Sequence, residues 1–329
     1  WISSSDLLTA AETIRGESDA VGRFLGNRVS YAELATRQFP KSIHAWLNYA
    51  RTCVNSGDID SAGVAIDKAK ELAPDDYVVN ATQAWWMSTR GDLDGALRVY
   101  EDLLGDREDA DVRENLAAIL LAQNRAEEAI GQLKELLKHC PSRPSLRGKL
   151  GLAYLALQDP GRAVSHFKKA AELEPSQSNY NGLGVSYALL GSIKKAERAF
   201  RTAVHVGPVA PDVTLNLAKV LGLQERWQEV IGITSELLKA YPMYWEARDV
   251  LGGALFHAHG RLSESEIQFR QVLKAVENGA ISGDRGNALN NLGACLLRLG
   301  KNSEAESKLR ESLKESENQN PRALLSLAF

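Results

Sequence analysis

Eight times between residues 43 and 317 a glycine or alanine returns at one place in a unit of about 34 residues: Ala50, Ala84, Ala117, Gly151, Gly184, Ala218, Gly252 and Gly293. A second series follows twelve residues behind, with Ala62, Ala96, Ala129, Ala163, Ala196, Val230, Ser265 (after one inserted residue) and Ala305. Prolines punctuate the same phase. Pro74, Pro141, Pro175, Pro208 and Pro242 are 67, 34, 33 and 34 residues apart, and Glu108 stands where the doubled first gap lacks its proline. Small residues recurring in phase constrain the chain strongly. Where two helices cross closely, a large side chain would hold the backbones apart, so each helix offers one small residue at the contact.

The larger residues around these points keep the same register. The seventh position carries Tyr49, Leu116, Leu150, Leu183, Leu217, Leu251 and Leu292 in seven of the eight units. The twenty-fourth carries Ile66, Tyr100, Leu133, Phe167, Phe200, Phe269 and Leu309, again in seven. Within each segment the apolar spacing is helical rather than alternating. Gly57, Gly91, Gly191, Gly260 and Gly300 fall between the two segments, where a helix C-cap is needed. The spacing therefore predicts paired helices in units near 43–76, 77–109, 110–143, 144–176, 177–210, 211–244, 245–277 and 286–317.

Segments such as Gly151-Leu-Ala-Tyr154 with Ala163, Phe167, Ala170 and Pro175 resemble the tetratricopeptide repeat, as do Leu183-Gly184, Tyr187, Ala196, Phe200, Ala203 and Pro208. The resemblance covers roughly residues 43–317. It implies an all-α fold, a right-handed superhelical solenoid of about eight tandem hairpins whose first helices line a concave groove. Residues 1–42 read as a divergent N-terminal capping hairpin, with helix-like stretches at Asp6–Arg15 and Ser30–Gln38. Residues 277–285 read as an inserted loop, and 318–329 as the start of a further helix that is cut short, as Trp1 at the other end also suggests.

The resemblance places positions 2, 5, 6, 9, 12 and 13 of each unit on the groove, and they form one helical stripe away from the packing residues. Position 6 is Asn48, Asn115, Asn216 and Asn291 in four of the eight units, interrupted by Thr82, Lys149, Gly182 and Val250. An amide side chain both donates and accepts, so such a partial ladder can pair with the backbone of an extended peptide. Leu121, Leu152, Leu155, Val185, Ala188, Leu189, Leu215 and Leu223 give the groove an apolar middle, joined by Trp85, which suits an amphipathic segment. Arg51, Lys149, Lys219 and Arg298 mix there with Asp111, Glu114, Asp212, Glu246 and Asp249, so neither charge sign dominates. Most of these charges read as solvated.

These residues lead to a protein-interaction scaffold or adaptor, not an enzyme, holding a peptide or helix of a partner protein. A chaperone-carboxylate clamp is not expected, because the lysines, asparagines and arginine that such a clamp needs are replaced by Leu47, Arg51, Thr82, Asp111 and Asn115. The 39 basic and 42 acidic side chains leave a formal charge of −3, without the basic excess that phosphate neutralisation needs, so no nucleic-acid partner is expected. No metalloprotease, nucleophile-elbow, phosphate-loop or dinucleotide motif occurs, and no cofactor or metal is expected. Cys53, Cys140 and Cys295 are far apart and suit a reducing compartment, so the expected location is the cytoplasm, with a bacterial periplasm as alternative. No apolar run reaches a membrane span. Two other roles remain open: the recruiting arm of a larger glycosyltransferase or protease, and an assembly subunit of bacterial secretion or polysaccharide export.

Overall fold

A computed structural model describes residues 29–315 except 107, 209 and 282–283. The stretch Asp6–Arg15 and the segment 318–329 lie outside the described residues. Every regular element described is a helix, and α1 covers 29–38. The chain divides into two compact units, one reaching Ser186 and the other starting at Tyr187.

In the first unit α2 (Ile43–Ser56) pairs with α3 (Ile59–Leu72), and α4 (Tyr77–Thr89) pairs with α5 (Leu93–Asp106). Next come α6 (Ala110–Ala122) with α7 (Ala126–His139), then α8 (Pro144–Ala156) with α9 (Pro160–Leu173). Helix α10 (Gln177–Leu189) carries the boundary between the units, and α11 (Ile193–Val206) opens the second. There α12 (Pro211–Gly222) pairs with α13 (Trp227–Ala240), and α14 (Trp245–His257) with α15 (Leu262–Glu277). The last pair is α16 (Arg285–Arg298) and α17 (Asn302–Glu315). The chain is thus all-α, with helices paired into about eight tandem hairpins.

The small residues are buried at all eight places in both series. A methyl group built on Gly151 would come within 2.7 Å of the Phe167 ring, on Gly252 within 2.7 Å of Phe269, and on Gly293 within 2.7 Å of Leu309. The residue at position 24 of a hairpin thus seats directly on position 8. Gly182 meets the same Phe167 ring from the next hairpin, a contact the small-residue series did not signal because it lies two places off phase.

The turns follow from backbone sterics. Gly57 closes α2 with φ 85°, and its amide donates to the Cys53 and Val54 carbonyls. Three hairpins place Asn124, Gln158 and Glu225 in the same left-handed conformation, at φ 59°, 56° and 58°. Aspartates begin several helices: Asp58, Asp76, Asp109, Asp159 and Asp284 each accept an amide of the first turn.

In the first and sixth hairpins position 5 is a packing position, which corrects its assignment to the groove there. Leu215 is 1% exposed and clusters with Leu237 and Ala247. Leu47 does the same with Ala69 and Val79. Each leucine fills the corner between its own second helix and the first helix of the following hairpin. The sequence stripe could not reveal this, because the covering residues come from the next unit.

Candidate functional site

Within the first unit the first helices of successive hairpins touch, α2 with α4, α4 with α6 and α6 with α8. They form one continuous face. Asn48, Arg51 and Asn115 are exposed on it, Trp85 and Lys149 are half-buried, and Leu152 is 50% exposed. Val185 follows on α10, also half-buried. In the second unit α12 touches α14, and Lys219 is exposed while Asn216 and Asn291 are half-buried. Leu189 and Leu223 of that unit are 63% and 68% exposed. The predicted residues therefore lie on the first helices, divided between the two units.

Polar residues on these faces are tied to one another across neighbouring helices. Glu114, only 5% exposed, receives Lys149 at 2.5 Å and the Arg143 guanidinium at 2.8 Å. Arg143 also reaches Asp111 at 2.6 Å. In the second unit Asn291 donates to Asp249 at 3.2 Å. Burial raises the Asp249 carboxyl above its ordinary range, and Asn291 and Lys219 oppose the shift. One rule covers both pairs: an acid at position 5 takes the position-6 side chain of the next hairpin. Arg51 approaches the Thr82 hydroxyl at 3.5 Å, and Lys219 meets Glu246 at 3.7 Å. The expectation of mostly solvated charges thus fails at Glu114, whose burial is tolerable only because two cations compensate it.

These ties sort the amide ladder. Asn291 is engaged by Asp249, whereas Asn48 and Asn115 stay at the surface. Behind Asn115 lies Tyr100, whose phenol burial pushes up to about 12 against the opposing influence of that amide. Ala81 occupies position 5 ahead of Asn115, so no acid is present to draw the amide in.

Other chemistry-bearing residues resolve into packing. His257 stacks on Trp227 with ring centroids 4.5 Å apart, and Phe256 meets His257 edge-on at 5.1 Å. Cys53 and Cys295 are buried thiols, both pushed up by burial first. No group of three metal-ligating side chains occurs among the described residues, and none of the described helices is long and apolar enough to cross a membrane.

Comparison with known proteins agrees with this architecture. Family models described as tetratricopeptide repeats match residues 43–76, 89–144 and 149–211. Over 125 residues the chain is 30% identical to the protein O-mannosyl-transferase Tmtc1 of Drosophila melanogaster, a match that takes in 36% of this chain and 15% of that protein. Among solved structures, the Cut9-Hcn1 hetero-tetramer of the APC/C aligns with TM-score 0.64 at 18% identity, over 90% of this chain and 57% of that one. The human IFIT1 dimer with PPP-AAAA gives 0.59 at 17% identity, over 90% and 69%. Pseudomonas aeruginosa pilF gives 0.53 at 22%, over 63% and 95%. Matched in sequence across most of residues 43–211 and folded as paired helices on both sides of the unit boundary, the chain carries tandem tetratricopeptide repeats.

Proposed function

We propose that this protein is an interaction scaffold whose first-unit face, made of α2, α4, α6 and α8, holds an extended peptide segment of a partner protein. The observation that carries this reading is the surface position of Asn48 and Asn115 on contiguous first helices, in a row that also holds the half-exposed Leu152. Amides can engage a peptide backbone whatever its sequence, while Leu152 and Trp85 favour an apolar side chain. The test is selection of binding peptides from a displayed random library on the intact chain, followed by calorimetric titration of the selected peptide. The Asn48→Ala, Asn115→Ala double variant removes two hydrogen-bonding side chains, for an expected loss of about tenfold or more in affinity. Affinity equal to wild type would remove the face from the binding reaction.

A second reading has one observation in its favour, the 125-residue similarity to a protein O-mannosyl-transferase, of which the chain covers 15%. In that reading the array presents substrate to a catalytic domain of the same polypeptide. A transcript encoding no such domain in frame would reject it.

A further inference from the structure

We infer that the junction of α7, α8 and α9 is an anion site suited to a phosphate monoester, formed by Lys134, Arg147 and His166 around the buried ring of Tyr154. Tyr154 is 3% exposed and acts as the floor. The His166 imidazole stacks on it at 5.3 Å between centroids, with planes 22° apart. The Lys134 ammonium stands 6.0 Å from the same ring, and the Arg162 guanidinium 4.6 Å. Two helices, α7 and α9, thus place a cation against one aromatic surface, and the charge of Arg147 on α8 acts on the His166 imidazole stacked there.

Compensation is missing from this cluster. Arg162 is neutralised by Asp159, the residue that caps α9. Among the described residues no carboxylate pairs with Lys134, Arg147 or His166. The Arg147 Nε and His166 Nδ1 atoms are closed to solvent, and neither finds a hydrogen-bond partner. Burial holds the imidazole below its usual range, and the charges of Arg147 and Lys134 push it the same way. An unbalanced positive field over a half-buried arginine is what a doubly charged oxyanion stabilises. The arginine fork binds two phosphate oxygens, and the lysine acts as a point charge on the third. Lys134 comes from position 25 of the third hairpin, and Arg147 and His166 from positions 4 and 23 of the fourth, none of them on the stripe assigned to peptide binding. The site therefore stands independently of the proposed function.

The probes are inorganic phosphate and a phosphoserine peptide, each titrated calorimetrically into the full chain at low ionic strength, with the His166 imidazole followed by NMR. Binding is expected with a rise in the His166 pKa, because a neighbouring dianion favours imidazolium. Arg147→Gln should lower the affinity about tenfold or more, since a charge-assisted contact is lost. Lys134→Gln, at an exposed position, should weaken it with the fold untouched, and so guards against a folding defect in the arginine variant. The Asn48→Ala, Asn115→Ala variant should bind the probes as wild type does. Equal affinity for both probes assigns the site to the phosphate group alone, and tighter binding of the peptide assigns it to a phosphorylated protein segment. Either result supports the inference. Absence of binding by both probes, an unmoved His166, or affinity unaffected by Lys134→Gln would overturn it.

Discussion

Phe167 offers the sharpest test of how these hairpins hold together. Its ring, 1% exposed, is caught between Gly151 of its own hairpin and Gly182 of the next. A methyl on Gly151 would stand 2.7, 2.8 and 2.8 Å from three ring atoms, closer than carbon atoms tolerate. The ring cannot retreat, because Gly182 already abuts it. Gly151→Ala brings two opposed effects. Replacing glycine within a helix contributes about 1 kcal/mol of stability through helix propensity, while overpacking a closed site costs about 1–3 kcal/mol. With no room on the far side the upper part of that range applies, which leaves a net loss of about 2 kcal/mol. Urea denaturation followed by circular dichroism measures it. The cause is then isolated by a cycle with Phe167→Leu, which removes the ring edge. In that background Gly151→Ala should become neutral or stabilising, as propensity alone requires. An equal cost in both backgrounds would refute the claim that the ring sets the identity of residue 151.

Three further expectations follow from local chemistry. Gln158→Gly should stabilise the fourth hairpin by about 0.5–1 kcal/mol, because relief of the left-handed backbone outweighs the added freedom of the unfolded chain; a loss in urea midpoint would count against it. Glu197 is raised by burial but lowered further by Gln224, Arg201 and Arg226, which bring it to about 2. Its folded pKa lies below the unfolded value, so its contribution is complete above about pH 4.5 and fades as pH falls toward 2. Glu197→Gln should therefore cost most at neutral pH, with the gap from wild type closing on acidification, and a pH-independent gap would exclude the linkage. Ser312→Ala, which removes a buried hydroxyl that donates to the Gly286 carbonyl at 2.7 Å, should cost about 1 kcal/mol, read from thermal unfolding.

What was legible in the sequence is what one repeat determines within itself. Gly151 with Phe167, Gly252 with Phe269 and Gly293 with Leu309 are contacts inside single hairpins, and their fixed spacing announces them. The illegible features depend on the neighbouring repeat. Leu215 looked like a groove residue until Ala247 of the following hairpin covered it. Glu114 looked solvated because its partners, Arg143 and Lys149, lie 29 and 35 residues ahead. The asparagine series divided for the same reason, since Asp249, 42 residues earlier, decides that Asn291 is engaged. The cations around Tyr154 were invisible because they occupy three different positions of the repeat and form no motif.

Glu114 shows that position 5 accepts two solutions to one packing problem. Leu47 and Leu215 fill the corner between hairpins with hydrocarbon, while Glu114 fills it with a carboxylate held by Arg143 and Lys149. The register places Leu136 and Leu146, both buried, at the sites equivalent to Leu237 and Ala247, which cover Leu215. A leucine at 114 would therefore meet a corner already lined with leucine. Burying an ion pair gains little over a well-packed apolar group, because desolvation offsets the attraction. The two cations are 36% and 27% exposed at their side chains, and Arg143 keeps Asp111. Both can rehydrate when the carboxylate leaves. Glu114→Leu should then stay within about 1 kcal/mol of wild type. Glu114→Gln retains the polar group but loses its charge, and should be the less stable variant in urea. The opposite order would mean that hydrogen bonding to Arg143 and Lys149, rather than the shape of the corner, holds the third hairpin to the fourth.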